Sequence, residues 1–417
     1  MDKIVVEGGV ALRGEVRISG AKNAALPIMA ATLLSPGVFR LGNVPSLRDV
    51  RTMGNVLRVL GAQVEHHDHS LTIDTTNCRH CEAPYELVKT MRASICVLGP
   101  VLARLGHARV SLPGGCAWGP RPVDFHVRAM KDLGAEVALD HGYIDARAER
   151  LSGGEIHFDM PSVGATENAM MAATLAEGTT TIRNAAREPE IVAIADFLRA
   201  MGARIEGDGS DTITIEGVES LHPAEFDIIP DRIELGTFIV AAAITGGEVM
   251  ITGGRADHCS QVCVKLAEAG VEIEESDGGL LVRGPRRPRA INVTTAPYPG
   301  FPTDMQAQMM ALMTIADGPS VITDTIYTDR FAHVAELRRL GADITLDGSV
   351  AVVSGVGRLS GAKVMATDLR ASAALILAGL VAEGQTEVSR VYHIDRGYEA
   401  IERKLAGLGA RIERVKE

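Results

Sequence analysis

The sequence predicts an α/β protein of two domains, in which buried helices form the centre of each domain and strands lie outside them. A chain of 417 residues exceeds what a single hydrophobic core usually supports. One pattern of helix end, glycine and alternating strand recurs six times along the chain. Several Ala-rich segments are apolar nearly all round, as is typical of helices that are enclosed on every side.

The recurring pattern joins a helix to a β-hairpin through a glycine. These glycines are 68 to 73 residues apart and stand at Gly61, Gly134, Gly202, Gly270, Gly341 and Gly409. Glycine directly after a helix favours the left-handed conformation that ends it. The segments that follow, such as 203–217, alternate around a turn, which indicates a hairpin. Each copy of about 70 residues therefore has the order βαβαββ, with three copies in each domain. A cleft between two domains is the default place for a ligand.

Composition excludes several classes of partner. The net charge is −11, from 42 basic and 53 acidic residues, which argues against general nucleic-acid binding. The chain has no run of roughly 18 apolar residues that could span a membrane. Its first residues, MDKIVVEGG, do not resemble a signal peptide. We therefore expect a cytoplasmic protein with reduced thiols and no nucleic-acid or membrane partner.

One loop, Pro113–Pro122, carries the first candidate for chemistry. Its glycines and prolines exclude regular helix or a central strand, and it places Cys116 near Arg121. An accessible thiol beside a positive charge can act as a general acid or a nucleophile. The alternative is that Cys116 is an ordinary small apolar residue. The residue pattern alone leaves both interpretations open.

The remaining cysteines raise the question of a metal site. Cys78 and Cys81 have CxxC spacing, and Cys259 and Cys263 have CxxxC spacing, as zinc ligands can have. The two pairs are about 180 residues apart, and nothing else in the sequence calls for zinc. We therefore predict no metal site. Cys96 stands in an apolar helical segment and is expected in the core.

Basic residues suggest a site for an anion. Lys22 and Asn23 follow a glycine turn at an expected helix N-terminus, where anions bind well. Four arginines complete the candidates, the last three following a strand-like segment and an acidic residue: Arg92, Arg330, Arg370 and Arg396. A single arginine is more often a solvated surface residue. The equivalent placement of these arginines at the junctions of the repeats favours a shared site for phosphate or carboxylate.

Asp304 is the best candidate for a catalytic carboxylate. It stands in the turn PGFPTDMQAQ, just before an apolar helical segment. Its alternative role is to cap that helix through its side chain, and the two roles are compatible.

Taken together, these segments closely resemble the UDP-N-acetylglucosamine 1-carboxyvinyltransferase family over essentially all 417 residues. The most specific segments are SGAKNAALP, LVKTMRASI, LPGGCAWGPRPVD, PSVGATENAMMAA, FPTDMQAQ, RFAHVAEL, ATDLRASAAL and YHIDRGYEAIERKL. The resemblance implies two inside-out α/β domains of three repeats each, with the active site in the interdomain cleft. One domain would contain residues 22–229, and the other residues 1–21 with 230–417.

The resemblance also implies a reaction. The enolpyruvyl group of phosphoenolpyruvate passes to the 3-hydroxyl of UDP-N-acetylglucosamine, and phosphate leaves, by addition and then elimination. This is the first committed step of peptidoglycan biosynthesis. No cofactor and no metal are implied, and the oligomeric state stays open. Two rival acceptors are shikimate 3-phosphate, against which the Cys116 loop speaks, and another nucleotide. A catalytically silent sugar-nucleotide-binding protein is a third alternative.

Residue roles follow from the resemblance. Catalytic roles are implied for Cys116, Asp304, Lys22, Arg396 and Asp368. Cys116 would be the general acid, which can also form an adduct with phosphoenolpyruvate and be alkylated by fosfomycin. Asp304 would lie beside the attacking hydroxyl, and Asp368 near the proton-transfer path.

Substrate contacts follow in the same way. The phosphate would bind Lys22, Arg121 and Arg396, and the carboxylate side would bind Arg330 and Arg370. The other implied contact positions are Asn23, Arg92, Pro122, Val123, Asp124, Phe125, Ser162, Val163, Gly164 and Ile326.

Overall fold

Helices and strands alternate in one repeated order along the chain. A computed structural model describes residues 2–89, 91–112, 123–276 and 278–416. The chain divides into two compact units, which we call the central unit, Gly20–Ile229, and the split unit, Met1–Ser19 with Pro230–Glu417. Each unit has its own hydrophobic core.

Apolar helices, several of them Ala-rich, form the centre of each unit. In the central unit they are Lys22–Ala31, Leu98–Leu105 and Val163–Ala173, and in the split unit Arg232–Thr245, Gln306–Met313 and Leu369–Gly379. All eight residues of Gln306–Met313 are buried, and this helix packs against the other two inner helices of its unit. A helix that is apolar on all sides is stable only when enclosed. The predicted arrangement of helices inside and strands outside is therefore confirmed.

A second set of helices is more amphipathic and lies nearer the surface. It comprises Arg48–Val59, Asp124–Asp132, Pro189–Ala200, Ser260–Glu268, His333–Arg339 and Ile401–Gly407. Each is followed closely by one of the six glycines of the sequence pattern. All six have φ between +87° and +103°, the left-handed conformation that glycine adopts at little cost. Shorter turns of helix occupy Thr32–Leu34, Tyr85–Val88, Arg92–Val97, Ala256–Cys259, Thr303–Met305 and Val391–Arg396.

The sheets of the central unit share one pairing scheme, in which a parallel pair is extended by two antiparallel strands. In sheet order, the first sheet consists of Glu225–Asp227, Val38–Gly42, Ser70–Asp74 and Gln63–His67. The second consists of Glu82–Ala83, His107–Ser111, Tyr143–Arg147 and Glu136–Asp140. The third consists of Glu155–His157, Thr179–Arg183, Thr212–Glu216 and Arg204–Glu206. Their burial alternates, so one face packs on the helices.

The split unit repeats this scheme. Its first sheet consists of Arg13–Arg17, Glu248–Thr252, Gly279–Arg283 and Glu272–Ser276. The second consists of Val293–Thr294, Pro319–Thr323, Val350–Ser354 and Asp343–Asp347. The third consists of Lys363–Met365, Gln385–Ser389, Asp2–Glu7 and Arg411–Lys416. Leu359–Ser360 and Ala382–Glu383 form a further short parallel pair. The first strand of the chain is thereby held between Gln385–Ser389 and the last strand.

Within the split unit, the two parts of the chain are joined where they meet. Asp231 donates its backbone N–H to Ser19 O at 2.9 Å.

Across the described ranges, no helix is long and apolar enough to cross a membrane.

Candidate active site

Asp304 lies in the split unit, in the short turn Thr303–Met305 that precedes the inner helix Gln306–Met313. Arg330 Nη1 donates to Asp304 Oδ1 at 2.8 Å, and Arg370 Nη2 donates to Asp304 Oδ2 at 2.8 Å. Each carboxylate oxygen therefore holds one guanidinium in a charge-assisted hydrogen bond. The Asp304 side chain is 25% exposed, whereas those of Arg330 and Arg370 are 9% and 2% exposed.

This arrangement corrects one expectation. The Asp304 side chain does not cap the helix that follows, because that helix begins after Met305 with no side-chain hydrogen bond at its N-terminus. The carboxylate is instead committed to the two arginines.

Arg370 is the most deeply buried charged group of this cluster. It stands in the first turn of the inner helix Leu369–Gly379, and its guanidinium lies 5.4 Å from the ring centre of Tyr398. Burial, the largest single cause, would lower the pKa of Arg370, but the charges of Asp304, Tyr398 and Asp231 and the hydrogen bond to Asp304 together raise it. Within the part of the chain that the structure describes, the Arg370 Nε and Nη1 groups are buried and have no hydrogen-bond partner. Buried donors of this kind are usually satisfied by a water, an ion or a ligand.

Asp368 begins the same helix. Its Oδ1 accepts hydrogen bonds from the backbone N–H groups of Arg370 at 2.8 Å and Ala371 at 3.1 Å. This is the usual role of aspartate at a helix N-cap. Asp368 is 8% exposed and fixes the start of the segment that carries Arg370.

Tyr398 belongs to a buried polar network behind Arg370. Gln308 Nε2 donates to the Tyr398 hydroxyl at 3.1 Å and to the backbone oxygen of Asp304 at 3.0 Å. The Tyr398 and Thr237 hydroxyls are 2.8 Å apart. Burial raises the pKa of Tyr398, so its phenol stays protonated. These residues could not be singled out from sequence alone, because each lies in a different segment.

Arg396 ends the short helix Val391–Arg396 of the split unit and is half-buried. Its neighbour Asp395 accepts two hydrogen bonds from Arg414, at 2.6 and 3.0 Å. A bidentate pair of this kind fixes the turn that presents Arg396.

The central unit contains the other residues that are expected to contact the substrates, apart from Ile326. The inner helix Lys22–Ala31 begins at Lys22, so the expected helix N-terminus at Lys22 and Asn23 is confirmed. Arg92 opens the short helix Arg92–Val97, and its Nε is buried without a hydrogen-bond partner among the described residues.

The N-terminus of the inner helix Val163–Ala173 lies beside a buried histidine. Ser162 precedes this helix, and Val163 and Gly164 open it. A Cβ added to Gly164 would come within 3.2 Å of His126 Cε1, so the backbone and this ring are in close contact. A larger residue at this position would have to displace the ring by a few tenths of an ångström.

His126 was not among the predicted site residues, although it stands only four residues after the candidate loop. Burial and then the charge of Arg92 lower the pKa of His126 to about 4, so its ring is neutral near pH 7. Asn168 Nδ2 lies 2.8 Å from His126 Nδ1, which must therefore be the acceptor. The proton of the neutral ring is then on Nε2.

The residues after the candidate loop lead into the helix Asp124–Asp132, as expected. Val123 and Phe125 are half-buried, and Asp124 is exposed. The ring of Phe125 packs edge-on against Phe158 with 5.8 Å between centres. Three predicted site residues, Cys116, Arg121 and Pro122, lie outside the described residues.

Among the other cysteines, Cys96 lies in the core, as the sequence predicts. Cys96 is 3% exposed, as expected for a core residue, and burial raises its pKa. Cys259 and Cys263 bring their sulfur atoms to 3.8 Å. In the described ranges, no group of three or more His, Cys, Asp or Glu side chains is placed to hold a metal ion.

Comparison with known proteins places these features in a class. Residues 6–405 match the family model of EPSP synthase (3-phosphoshikimate 1-carboxyvinyltransferase). The enolpyruvyl transferase NikO from Streptomyces tendae is 28% identical, with a TM-score of 0.91 over 100% of this chain and 99% of that one. EPSP synthase from Acinetobacter baumannii is 18% identical with a TM-score of 0.76, over all of both chains, and so shares the fold. The fold is therefore the two-domain inside-out fold of these transferases.

Closer relatives narrow the class to one family. The UDP-N-acetylglucosamine 1-carboxyvinyltransferase of Geobacter metallireducens is 59% identical over 417 residues, covering 100% of both chains. The enzyme of the same name from Thermodesulfovibrio yellowstonii is 56% identical, again over 100% of both. The chain belongs to the UDP-N-acetylglucosamine 1-carboxyvinyltransferase family.

Proposed function

We propose that this chain transfers the enolpyruvyl group of phosphoenolpyruvate to the 3-hydroxyl of UDP-N-acetylglucosamine and releases phosphate. This is the activity that its 59% identical relative is named for. It would supply the first committed step of peptidoglycan biosynthesis, in the cytoplasm. The observation that carries the proposal is the buried pair of arginines, Arg330 and Arg370, around Asp304.

The arginine pair suits the carboxylate side of phosphoenolpyruvate. Arg370 has buried Nε and Nη1 groups without a partner among the described residues, while its Nη2 is held by Asp304. A planar guanidinium fixed on one side can offer its remaining N–H groups to a carboxylate. Arg330 is held in the same way through Asp304, so both cations are oriented before substrate arrives.

The phosphate would bind three further cations, Lys22, Arg121 and Arg396. Phosphoenolpyruvate and its tetrahedral adduct carry several negative charges, and fixed cations stabilise them in a site from which water is excluded. These side chains supply the positive charge, so the proposed reaction needs no metal and no organic cofactor. They also explain how a chain with a net charge of −11 can bind acidic substrates.

The chemistry needs a proton donor and a group at the attacking hydroxyl. Cys116 would protonate C3 of phosphoenolpyruvate while the sugar 3-hydroxyl adds to C2. Asp304 would lie beside that hydroxyl, and Asp368 near the path by which the C3 proton later leaves. The negative charge that the substrate carboxylate brings to Arg330 and Arg370 makes the Asp304 carboxylate a better acceptor for the hydroxyl proton. Elimination of phosphate then completes the transfer.

The nucleotide end of UDP-N-acetylglucosamine would bind mainly to the central unit. Its contacts would be Arg121, Pro122, Val123, Asp124, Phe125, Ser162, Val163 and Gly164, with Ile326 of the split unit as a nearby apolar contact. Asn23 and Arg92 are further proposed substrate contacts. The start of a helix at Val163 offers backbone N–H groups toward a diphosphate. The neutral His126 beside Gly164 supplies an Nε2–H donor in the same neighbourhood.

Phosphate release tests the proposal against its rivals. The purified protein is incubated with phosphoenolpyruvate and with UDP-N-acetylglucosamine, shikimate 3-phosphate or another nucleotide sugar in turn. We expect release with UDP-N-acetylglucosamine and at most a trace with the others. Release only with a different acceptor would replace the proposed substrate. No release with any acceptor, from protein that still binds the nucleotide sugar, would favour a silent binding protein.

A further inference from the structure

A buried carboxylate, Asp324, lies behind the Asp304 turn and plays no part in the proposed chemistry. It stands one residue after the strand Pro319–Thr323 and is fully buried. It accepts four hydrogen bonds from protein groups. From these contacts we infer that Asp324 is a positioning residue that sets the geometry of Asp304, Ile326 and Arg330 together. The inference rests on the proposed function, because these three residues are its proposed substrate contacts.

The first connection runs through a hydroxyl group. Thr303 Oγ1 donates to Asp324 Oδ2 at 2.7 Å and accepts from Arg330 Nη1 at 3.1 Å. Arg330 Nη1 also donates to Asp304 Oδ1 at 2.8 Å. Since a hydroxyl has one proton, its donation to Asp324 leaves the Thr303 oxygen lone pairs for Arg330. Asp324 therefore orients the Thr303 hydroxyl so that its oxygen can accept the hydrogen bond from Arg330.

The second connection runs through the backbone. Asp324 Oδ1 accepts from the N–H groups of Ile326 at 3.0 Å and Tyr327 at 2.9 Å, an Asx turn that fixes the start of the loop. The Tyr327 ring centre lies 5.8 Å from the Arg330 guanidinium, and Arg330 N donates to Tyr327 O at 3.0 Å. The Asp324 carboxylate thus fixes the backbone of Ile326 and Tyr327, and Tyr327 in turn contacts Arg330.

Asp324 is itself tied to the sheet. Thr295 Oγ1 donates to Asp324 Oδ1 at 2.8 Å, and Thr295 follows the strand Val293–Thr294, which pairs in parallel with Pro319–Thr323. Both Asp324 and Thr295 are fully buried. Asp324 therefore connects a rigid sheet edge to the partly exposed carboxylate of Asp304, which keeps the geometry of the site within narrow limits.

Substitutions at the two ends of the hydroxyl connection test the inference. In Asp324→Asn the amide oxygen can replace Oδ1 and accept from the same three donors. The NH2 group then takes the place of Oδ2, faces Thr303 and cannot accept its hydroxyl proton. The Thr303 hydroxyl must turn, and its acceptance from Arg330 weakens. Thr303→Val removes the connection at nearly constant shape, and Thr303→Ser restores it. Asp347→Asn, on an exposed hairpin of the same sheet, is the matched control for loss of one charge.

The readout is kcat and KM for each substrate, with far-UV circular dichroism to verify folding. We expect Asp324→Asn and Thr303→Val to lower kcat/KM for phosphoenolpyruvate by about 10- to 100-fold, as loss of a charge-assisted hydrogen bond does. The KM for UDP-N-acetylglucosamine should change much less, because Arg330 is on the carboxylate side. Thr303→Ser and Asp347→Asn should stay near wild type.

Two outcomes separate the positioning role from the reaction. If wild type turns over but Thr303→Val keeps its kcat/KM for phosphoenolpyruvate, the positioning role is wrong. Equal losses for both substrates that follow lost stability would also overturn it. If wild type itself releases no phosphate, the proposed reaction fails, and crystal structures then decide the positioning role. An unchanged 2.8 Å contact between Arg330 and Asp304 in Thr303→Val would refute it, and a displaced Arg330 would support it.

Discussion

Replacing Arg370 with methionine should strongly lower activity while leaving most of the stability. The guanidinium is 2% exposed and donates through Nη2 to Asp304 at 2.8 Å. Breaking a buried ion pair usually costs about 3–5 kcal/mol. Against this, Arg370 Nε and Nη1 are buried donors without a partner among the described residues. Each such donor costs the folded state about 1–3 kcal/mol, which methionine would remove. Asp304 also keeps Arg330 and is partly exposed.

These opposing contributions leave a net loss of at most about 3 kcal/mol in the free energy of unfolding. Activity has no such compensation, since the N–H groups proposed to bind the substrate carboxylate are gone. A loss of 1.5–3 kcal/mol of charge-assisted bonding predicts a fall of roughly 10- to 150-fold in kcat/KM for phosphoenolpyruvate. A residue retained at the expense of stability is common at functional sites.

The assay combines urea unfolding, followed by far-UV circular dichroism, with steady-state kinetics on the same preparations. Arg370→Lys is the control, because it keeps the charge but loses the planar fork. It should recover part of the activity at most. The reasoning would be refuted by a loss of stability above about 4 kcal/mol in Arg370→Met, since the unpartnered donors would then carry no cost. Undiminished kcat/KM would refute the substrate role.

Three further predictions concern other residues. Burial lowers the pKa of His126 to about 4 and that of His333 to about 3, so the unfolded chain takes up these protons first as pH falls below about 6.5. Stability should therefore decline from pH 6.5 toward 4 by about 3 kcal/mol for each histidine, and replacing His333 with glutamine should flatten the urea-derived profile. Cys116→Ser should lose most turnover yet still bind UDP-N-acetylglucosamine, and fosfomycin should alkylate only the wild type; an unmodified intact mass would count against a reactive thiol. Asn168→Ala should lower the unfolding free energy by about 2–4 kcal/mol, because it strands the buried Gly99 N–H, which donates to Asn168 Oδ1 at 2.8 Å; an unchanged urea midpoint would contradict this.

Much of the fold could be predicted because it depends on local sequence. A glycine such as Gly61 or Gly409 ends a helix through its own backbone conformation, and both have φ above +90°. An Ala-rich helix such as Leu369–Gly379 shows its burial in its composition alone. Such signals are contained in a few neighbouring residues, so their meaning does not depend on the rest of the chain.

The site depended on contacts between distant residues, and the sequence revealed less of it. Asp304 has the pattern of a helix cap, but Arg370, 66 residues away, and Arg330 take both of its oxygens. Asp324 carries no motif, and its importance appears only when Thr303, 21 residues away, is seen to donate to it. The resemblance named the residues expected to contact substrate. It did not indicate which buried groups hold them in place.

The central claim is tested most directly by running the reaction in D2O and analysing the product by mass spectrometry. With phosphoenolpyruvate and UDP-N-acetylglucosamine, addition followed by elimination predicts the 3-enolpyruvyl ether, with deuterium in its vinyl group and one phosphate released for each product molecule. An ether without deuterium would contradict the addition–elimination route. Folded protein that yields no ether would contradict the proposed function.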